Sequence, residues 1–221
     1  MRHTTVSSFV TELLSINAMA MALIVKDEVS NVHLLNDSWK LWYWKFSGTV
    51  VPDANWTDNL HGLCEFDSVE KFWRRLYGKY IFNHIKMPSM LTTGCDYSVF
   101  KSDIKPMWED PSNKNGGRWL IKDNGLLDQY WMDILLSMIG GMYDPYNDNI
   151  CGIVYNRRQY SKISIWISSC DTNIVNDIGS KLKHYLGTKE KFKFEKHSEF
   201  WKKKINSHKK MYLGQMTQTN V

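Results

Sequence analysis

The sequence predicts an α+β fold, a single curved, mostly antiparallel β-sheet with three helices packed on its convex face. Three observations carry that expectation. Seven segments have strand composition, and several alternate polar with apolar residues, the period of a sheet with one buried face. Three segments between them repeat apolar residues at helical spacing. Some strands also follow one another with no crossover helix, which antiparallel pairing permits and parallel pairing does not.

The first strand is WKLWYWKF (39–46), followed by LHGLCEF (60–66). DSVEKFWRRLYGKY (67–80) reads as a helix. Asp67 and Glu70 stand at N-cap and N3 spacing, and Val69, Phe72, Trp73, Leu76 and Tyr77 form its apolar stripe. Two strands come next, YSVFK (97–101) and RWLIK (118–122). The second helix, LLDQYWMDILLSMIGG (126–141), is apolar almost all round. Tyr130, Trp131, Ile134, Leu135 and Met138 can face the sheet, which leaves Met132, Leu136 and Ile139 on the opposite stripe. A helix apolar on both faces is either buried twice or has a partner. CGIVYN (151–156) and KISIWIS (162–168) are strands in sequence. The third helix starts at Asp171, stops at Gly187, and places Val175, Ile178, Leu182, Tyr185 and Leu186 on one face. KFKFEK (191–196) is the last strand.

At 221 residues, 43% of them hydrophobic and 23% charged, the chain is long enough to bury a core without disulfide or metal. The expected division is an N-terminal extension (1–32), one domain (33–205) and a polar tail (206–221), the first and last flexible. The apolar run LLSINAMAMALIV (13–25) is too short to span a bilayer. Glu12 breaks it as a signal-peptide core. Cys64, Cys95, Cys151 and Cys170 are scattered, with no CxxC pair and no His at zinc-ligand spacing. The expectation is reduced thiols in a cytoplasmic or nuclear protein, with no metal or cofactor. Charge is uneven: residues 181–210 hold eleven Lys and three Glu, a local +8 against +5 overall, so the remainder sums to −3. A slightly acidic domain therefore carries a basic end, either a solvated face or a contact for RNA backbone.

Ten Trp in a chain this size suggest that some rings serve flat or cationic ligands. The informative block is IKPMWEDPSNKNGGRWLI (104–121), in which Trp108 stands beside Glu109 and Asp110. An indole face with an adjacent carboxylate suits a cationic aromatic ligand, the ring stacking and the carboxylate accepting from donors on the ligand's edge. Trp56, in the polar ANW segment, offers a second ring, and two rings can sandwich a base. Arg157, Arg158 and Lys162 lie on or just before the strand that holds Trp166, where guanidinium groups suit a phosphate chain.

These residues carry a resemblance. The chain is similar to the eukaryotic translation initiation factor 4E family, the messenger-RNA cap-binding proteins, from about His33 to Lys196. The resemblance rests on W-x-x-W-x-W (Trp39, Trp42, Trp44), FDSVEKFW (66–73), GCDYSVFKSDIKPMWEDPSNKNGGRWLI (94–121), YWMDILLSMIGG (130–141), CGIVYNRR (151–158) and KISIWIS (162–168). It implies a cap sandwich of Trp56 and Trp108, with Glu109 reading the guanine edge and Trp166 touching the methyl group. Phosphate contacts fall on Arg118, Arg158 and Lys162, with Arg157 beside them. Methylated guanine is cationic, so two indoles gain a cation–π attraction that guanine lacks. The resemblance further implies that the helical back receives a short helix from the scaffold factor 4G or from 4E-binding repressors. The matching positions are His33, Val69, Trp73, Met132, Asp133, Leu136 and Gly140. Two stretches, KFSGTVVPDAN before Trp56 and Gly78–Thr93, are longer than the family pattern, and one basic position between Arg158 and Lys162 is missing.

Catalytic patterns are absent: no GxSxG, HExxH, Walker loop or Cys/His nucleophile arrangement occurs. The expected function is thus non-enzymatic: a monomer that binds capped messenger RNA and recruits the initiation scaffold. A cap-binding translational repressor on the same fold is the alternative, and an enzyme acting on capped or nucleotide substrates a more distant one.

Overall fold

The computed structural model describes residues 32–45, 56–77 and 86–199. The expected N-terminal extension apart from Val32, the tail 206–221, and the cores of both long loops lie outside the described residues.

Seven strands form one sheet: β1 (Leu34–Lys45), β2 (Leu60–Ser68), β3 (Cys95–Lys101), β4 (Gly117–Lys122), β5 (Ile150–Asn156), β6 (Lys162–Ile167) and β7 (Lys193–Lys196). Their order is β2-β1-β3-β5-β6-β4-β7, and every pairing is antiparallel. Each expected strand is present. Among the described residues three longer helices join them, α1 (Val69–Tyr77), α2 (Leu127–Ile139) and α3 (Thr172–Tyr185), besides one short helical turn, Pro111–Lys114. The curved α+β sheet of the sequence reading is therefore the observed architecture. Among the described residues no helix is long and apolar enough to cross a membrane.

Alternation along each strand sorts side chains onto two faces. Trp39, Leu41, Tyr97, Val99, Ile153, Tyr155, Ile163 and Ile165 lie on the face that the helices cover, in one core with Phe72, Trp131, Ile134, Leu135, Ile178 and Leu182. Each such side chain, fully buried, contributes roughly 1.5–3 kcal/mol. A smaller cluster of Phe100, Ile104, Cys151, Val154 and Trp166 lies apart from that core, with Trp108 packed against it.

The helix termini follow local chemistry, with one correction. Asp171 caps α3, its carboxylate accepting from the backbone N–H of Asn173 at 2.9 Å, and Gly187 takes the positive φ of 58° that ends the segment. Asp67 does not cap α1. The strand β2 runs on through Ser68, whose hydroxyl accepts from the Lys71 N–H at 3.2 Å, while Asp67 pairs with the Lys71 ammonium at 2.6 Å. Glu70, expected to close the capping box, instead accepts from the backbone N–H of His33 at 3.1 Å and pairs with its ring at 2.7 Å. The chain entering β1 is thereby fastened to the first turn of α1.

On α2 the five residues expected to face the sheet are all buried. Met132 and Leu136 are half-buried on the other stripe, but Ile139, the last residue of the helix, is 8% exposed and belongs to the main core.

Candidate functional site

One row of paired residues crosses the face opposite the helices. It runs Glu65, Lys40, Phe100, Gly152, Trp166, Arg118, Glu195, from β2 through to β7. Gly152 is required there. A Cβ would lie 2.4 Å from the Phe100 ring, so only glycine lets Phe100 cross β5 and meet Trp166 edge-on at 5.5 Å. The next rows on this face carry Trp42 and Ser98, then Trp44, Asp96, Asn156 and Lys162.

Trp108 and Glu109 are presented by a loop whose own polar residues shape it. Asp110 accepts from the backbone N–H of Lys105 and of Ser112, both at 3.0 Å, and so caps the single helical turn Pro111–Lys114. Asn113 is fully buried and donates to the carbonyls of Lys105 and Met107 at 2.9 and 2.8 Å. Those bonds tie down the backbone on the near side of Trp108. The two adjacent carboxylates of MWED therefore differ in role: Asp110 builds the loop, and Glu109 is exposed beside the indole. Trp108 is half-buried, with part of its ring against the Phe100 and Trp166 cluster.

Trp166 is 9% exposed, and the His197 ring lies 4.2 Å from it. Burial, with Arg118 nearby, pushes the His197 imidazole down to about 4, so it is neutral at physiological pH. Arg118 is 7% exposed and pairs with Glu195 at 3.2 Å. Arg158 grips Asp96 with two nitrogens, at 2.6 and 3.0 Å, and its guanidinium lies 5.8 Å from the centre of the Trp44 ring. Lys162 lies between these groups. Burial, then the positive fields of Arg118 and Arg158, hold its ammonium below the usual lysine value.

The structure thus brings together Trp108, Trp166, Arg118, Arg158 and Lys162. It sets Arg157 apart: that guanidinium donates to the Ser161 hydroxyl at 3.0 Å and to the Arg158 carbonyl, within the turn between β5 and β6. Trp56 begins a one-turn helix, Trp56–Asn59, that leads into β2, and its side chain lies outside the described part. Glu195, Asp96 and His197 were missed by the sequence reading. For Glu195 a signal existed, since alternation in KFKFEK sets Glu195 opposite in facing to Phe192 and Phe194.

The residues expected to meet a protein partner lie on the helix-covered side. Val69 is 38% exposed, His33 and Gly140 are exposed, and Trp73, Met132 and Leu136 are half-buried against the main core. Asp133 sits among the apolar residues of α2, where burial pushes its carboxyl up to about 6 despite a hydrogen bond from Gln129. A raised carboxyl favours folding below its unfolded value, and that contribution is lost as pH climbs through 6. We expect Asp133→Asn to stabilise the isolated protein at pH 8 by about 1 kcal/mol, discounted for partial exposure, and to have almost no effect at about pH 3, below the ordinary carboxyl value. Thermal melts at the two pH values check this; equal melting shifts at both would refute it.

A single antiparallel sheet with helices on one face presents, on the other, indoles beside a cation cluster, the features of a binding surface for a flat ligand that carries negative charge. The comparisons sharpen that reading. A family model described as eukaryotic initiation factor 4E matches residues 34–212. Human eukaryotic translation initiation factor 4E is 42% identical over 162 residues, 70% of each chain, and zebrafish (Danio rerio) factor 4E-1B is 42% identical over 168 residues, covering 72% of this chain and 73% of that one. Among solved structures, Caenorhabditis elegans eIF4E-3 in complex with the 4E-binding protein Mextli and a cap analogue is 38% identical, with a TM-score of 0.68 over 76% of this chain and 95% of that one. A schistosome eIF4E complexed with m7GpppG and 4E-BP is 32% identical, with a TM-score of 0.68 over 76% and 91%. The chain belongs to the eukaryotic initiation factor 4E family.

Proposed function

We propose that the protein binds the 7-methylguanosine end of messenger RNA and, through its helical side, a scaffold factor or a 4E-binding protein. The observation that carries the first part is the row through Trp166 and Arg118, with Trp108 and Glu109 held beside it and Lys162 and Arg158 one step away. In this reading Trp108 and Trp56 stack on the two sides of the methylated base. Glu109 accepts from its N–H donors, selecting guanine over adenine, and Trp166 contacts the methyl group. Arg118, Lys162 and Arg158 bind the phosphates without reading sequence. Relatives of this fold crystallised with cap analogues and with 4E-binding proteins support both halves.

The test is tryptophan fluorescence titrated with 7-methyl-GTP against GTP. The methylated nucleotide should bind more tightly by about tenfold or more, the contribution of desolvated cation–π contacts. Equal affinities would sink the reading. A second expectation concerns the phosphates. Because charge-assisted bonds to phosphate are screened by salt, 7-methyl-GTP should bind more tightly than 7-methyl-GMP at low ionic strength, with the gap narrowing as salt rises. Equal affinity for the two at low salt would remove this role from Arg118, Arg158 and Lys162.

The initiator and repressor readings share the cap slot and differ at the helical side. Affinity for a helical peptide of the scaffold factor favours the initiator.

A further inference from the structure

Glu195 is the last member of the row that crosses the sheet, directly opposite Arg118 in the β4–β7 register. Its carboxylate takes a hydrogen bond from Arg118 Nη2 at 3.2 Å and another from Lys193 Nζ at 2.7 Å. The Arg118 side chain is almost wholly enclosed and that of Glu195 is one-fifth exposed, so the pair is poorly screened by water. The three cations assigned to phosphate, Arg118, Arg158 and Lys162, are met by two carboxylates. Asp96 is bound by both terminal nitrogens of Arg158, and Glu195 engages Arg118.

We infer that Glu195 is a resident competitor for Arg118 that limits how much a polyphosphate adds to ligand affinity. The inference rests on the cap-binding reading and assigns the site a specificity-determining residue outside the residues that reading uses. A phosphate arriving at Arg118 meets a guanidinium already shared with a carboxylate, and it meets that carboxylate's negative charge at close range. Each added phosphate therefore gains less than the three cations alone would provide. The base end of the site, at Trp108 and Glu109, does not depend on Glu195. The chain also has a reason to tolerate the pair: Arg118 is 7% exposed, and a buried guanidinium with no counter-charge is costly to the ligand-free fold.

The test compares wild type with Glu195→Gln, which removes the charge and keeps an acceptor oxygen for Arg118. Each protein is titrated with 7-methyl-GTP and 7-methyl-GMP at low salt. The ratio of the two affinities is the readout, since both values come from one preparation and any inactive fraction cancels. Glu195→Gln should bind 7-methyl-GTP about threefold to tenfold more tightly, with a smaller change for 7-methyl-GMP, as expected when one like charge is removed a few ångströms from phosphate in a partly wet site. Glu190→Gln is the control, because Glu190 bonds Asn124 beyond the far end of β4. An unchanged ratio overturns the inference. So does a falling one, which would make Glu195 an anchor that positions Arg118. So does an equal rise in Glu190→Gln, which would be bulk charge. Wild type that binds neither ligand removes the cap reading itself, an outcome distinct from a wild type that binds with a ratio Glu195 does not alter.

Discussion

Trp108→Ala will weaken binding of 7-methyl-GTP by about 1–3 kcal/mol, the usual cost of deleting one stacking ring, and Trp56→Ala will cost a similar amount. Truncating Trp108 also removes part of the packing around Phe100, Ile104, Cys151, Val154 and Trp166. Thermal melts must therefore accompany the titration. Trp108→Phe provides the finer test, since it keeps an aromatic against that cluster while reducing the stacked area. Glu109→Ala should cost a comparable amount and relax the preference for guanine, because Glu109 is exposed beside the ring while Asp110 and Asn113 hold the loop. An outcome in which Trp108→Ala abolishes binding and Trp56→Ala leaves it intact would move the second ring elsewhere. Trp44 is the first alternative, since it pairs with Leu60 on β2 and shares its face of the sheet with Trp166 and Lys162.

On the other side of the sheet, Trp73→Ala should abolish binding of a helical peptide from a scaffold or 4E-binding protein, at a cost of at least about 2 kcal/mol. The affinity for 7-methyl-GTP should not change. Trp73 packs against the main core and lies edge-on to Phe72 at 4.9 Å, whereas the cation cluster lies on the opposite face. Val69, one turn before it and 38% exposed, is the companion variant, because its truncation disturbs the core far less. Circular dichroism distinguishes lost recognition from lost folding. A folded wild-type protein with no affinity for the scaffold peptide at high micromolar concentration would leave the repressor reading in place of the initiator.

Strands, helices and family were legible in the chain because their signals are local or contiguous. Strand composition, with alternation in several, marked all seven strands, and the Asp171 cap and Gly187 stop marked the third helix to within a residue. Where the local signal was ambiguous, the reading slipped. Asp67 and Ser68 are both good caps, and the length of β2 decided between them. Ile139 lay on the outer stripe of α2 by periodicity, yet at the end of the helix it is buried in the main core.

The site divides the same way. Trp108 beside Glu109 is visible in four consecutive letters, and so is the basic run at Arg157 and Arg158. The letters do not say that Asp110 is consumed in capping its own loop, or that Arg157 turns to Ser161 while Arg158 reaches Asp96. Nor do they say that Glu195 ends opposite Arg118, 77 residues earlier in the chain. That last contact exists because β4 is inserted between β6 and β7, so β3 and β4, next to each other in sequence, are not neighbours in the sheet. Side-chain period and capping act over one to four residues, and they specify elements from sequence alone. Which charges meet depends on strand order and register, and only the packing of the whole sheet determines those.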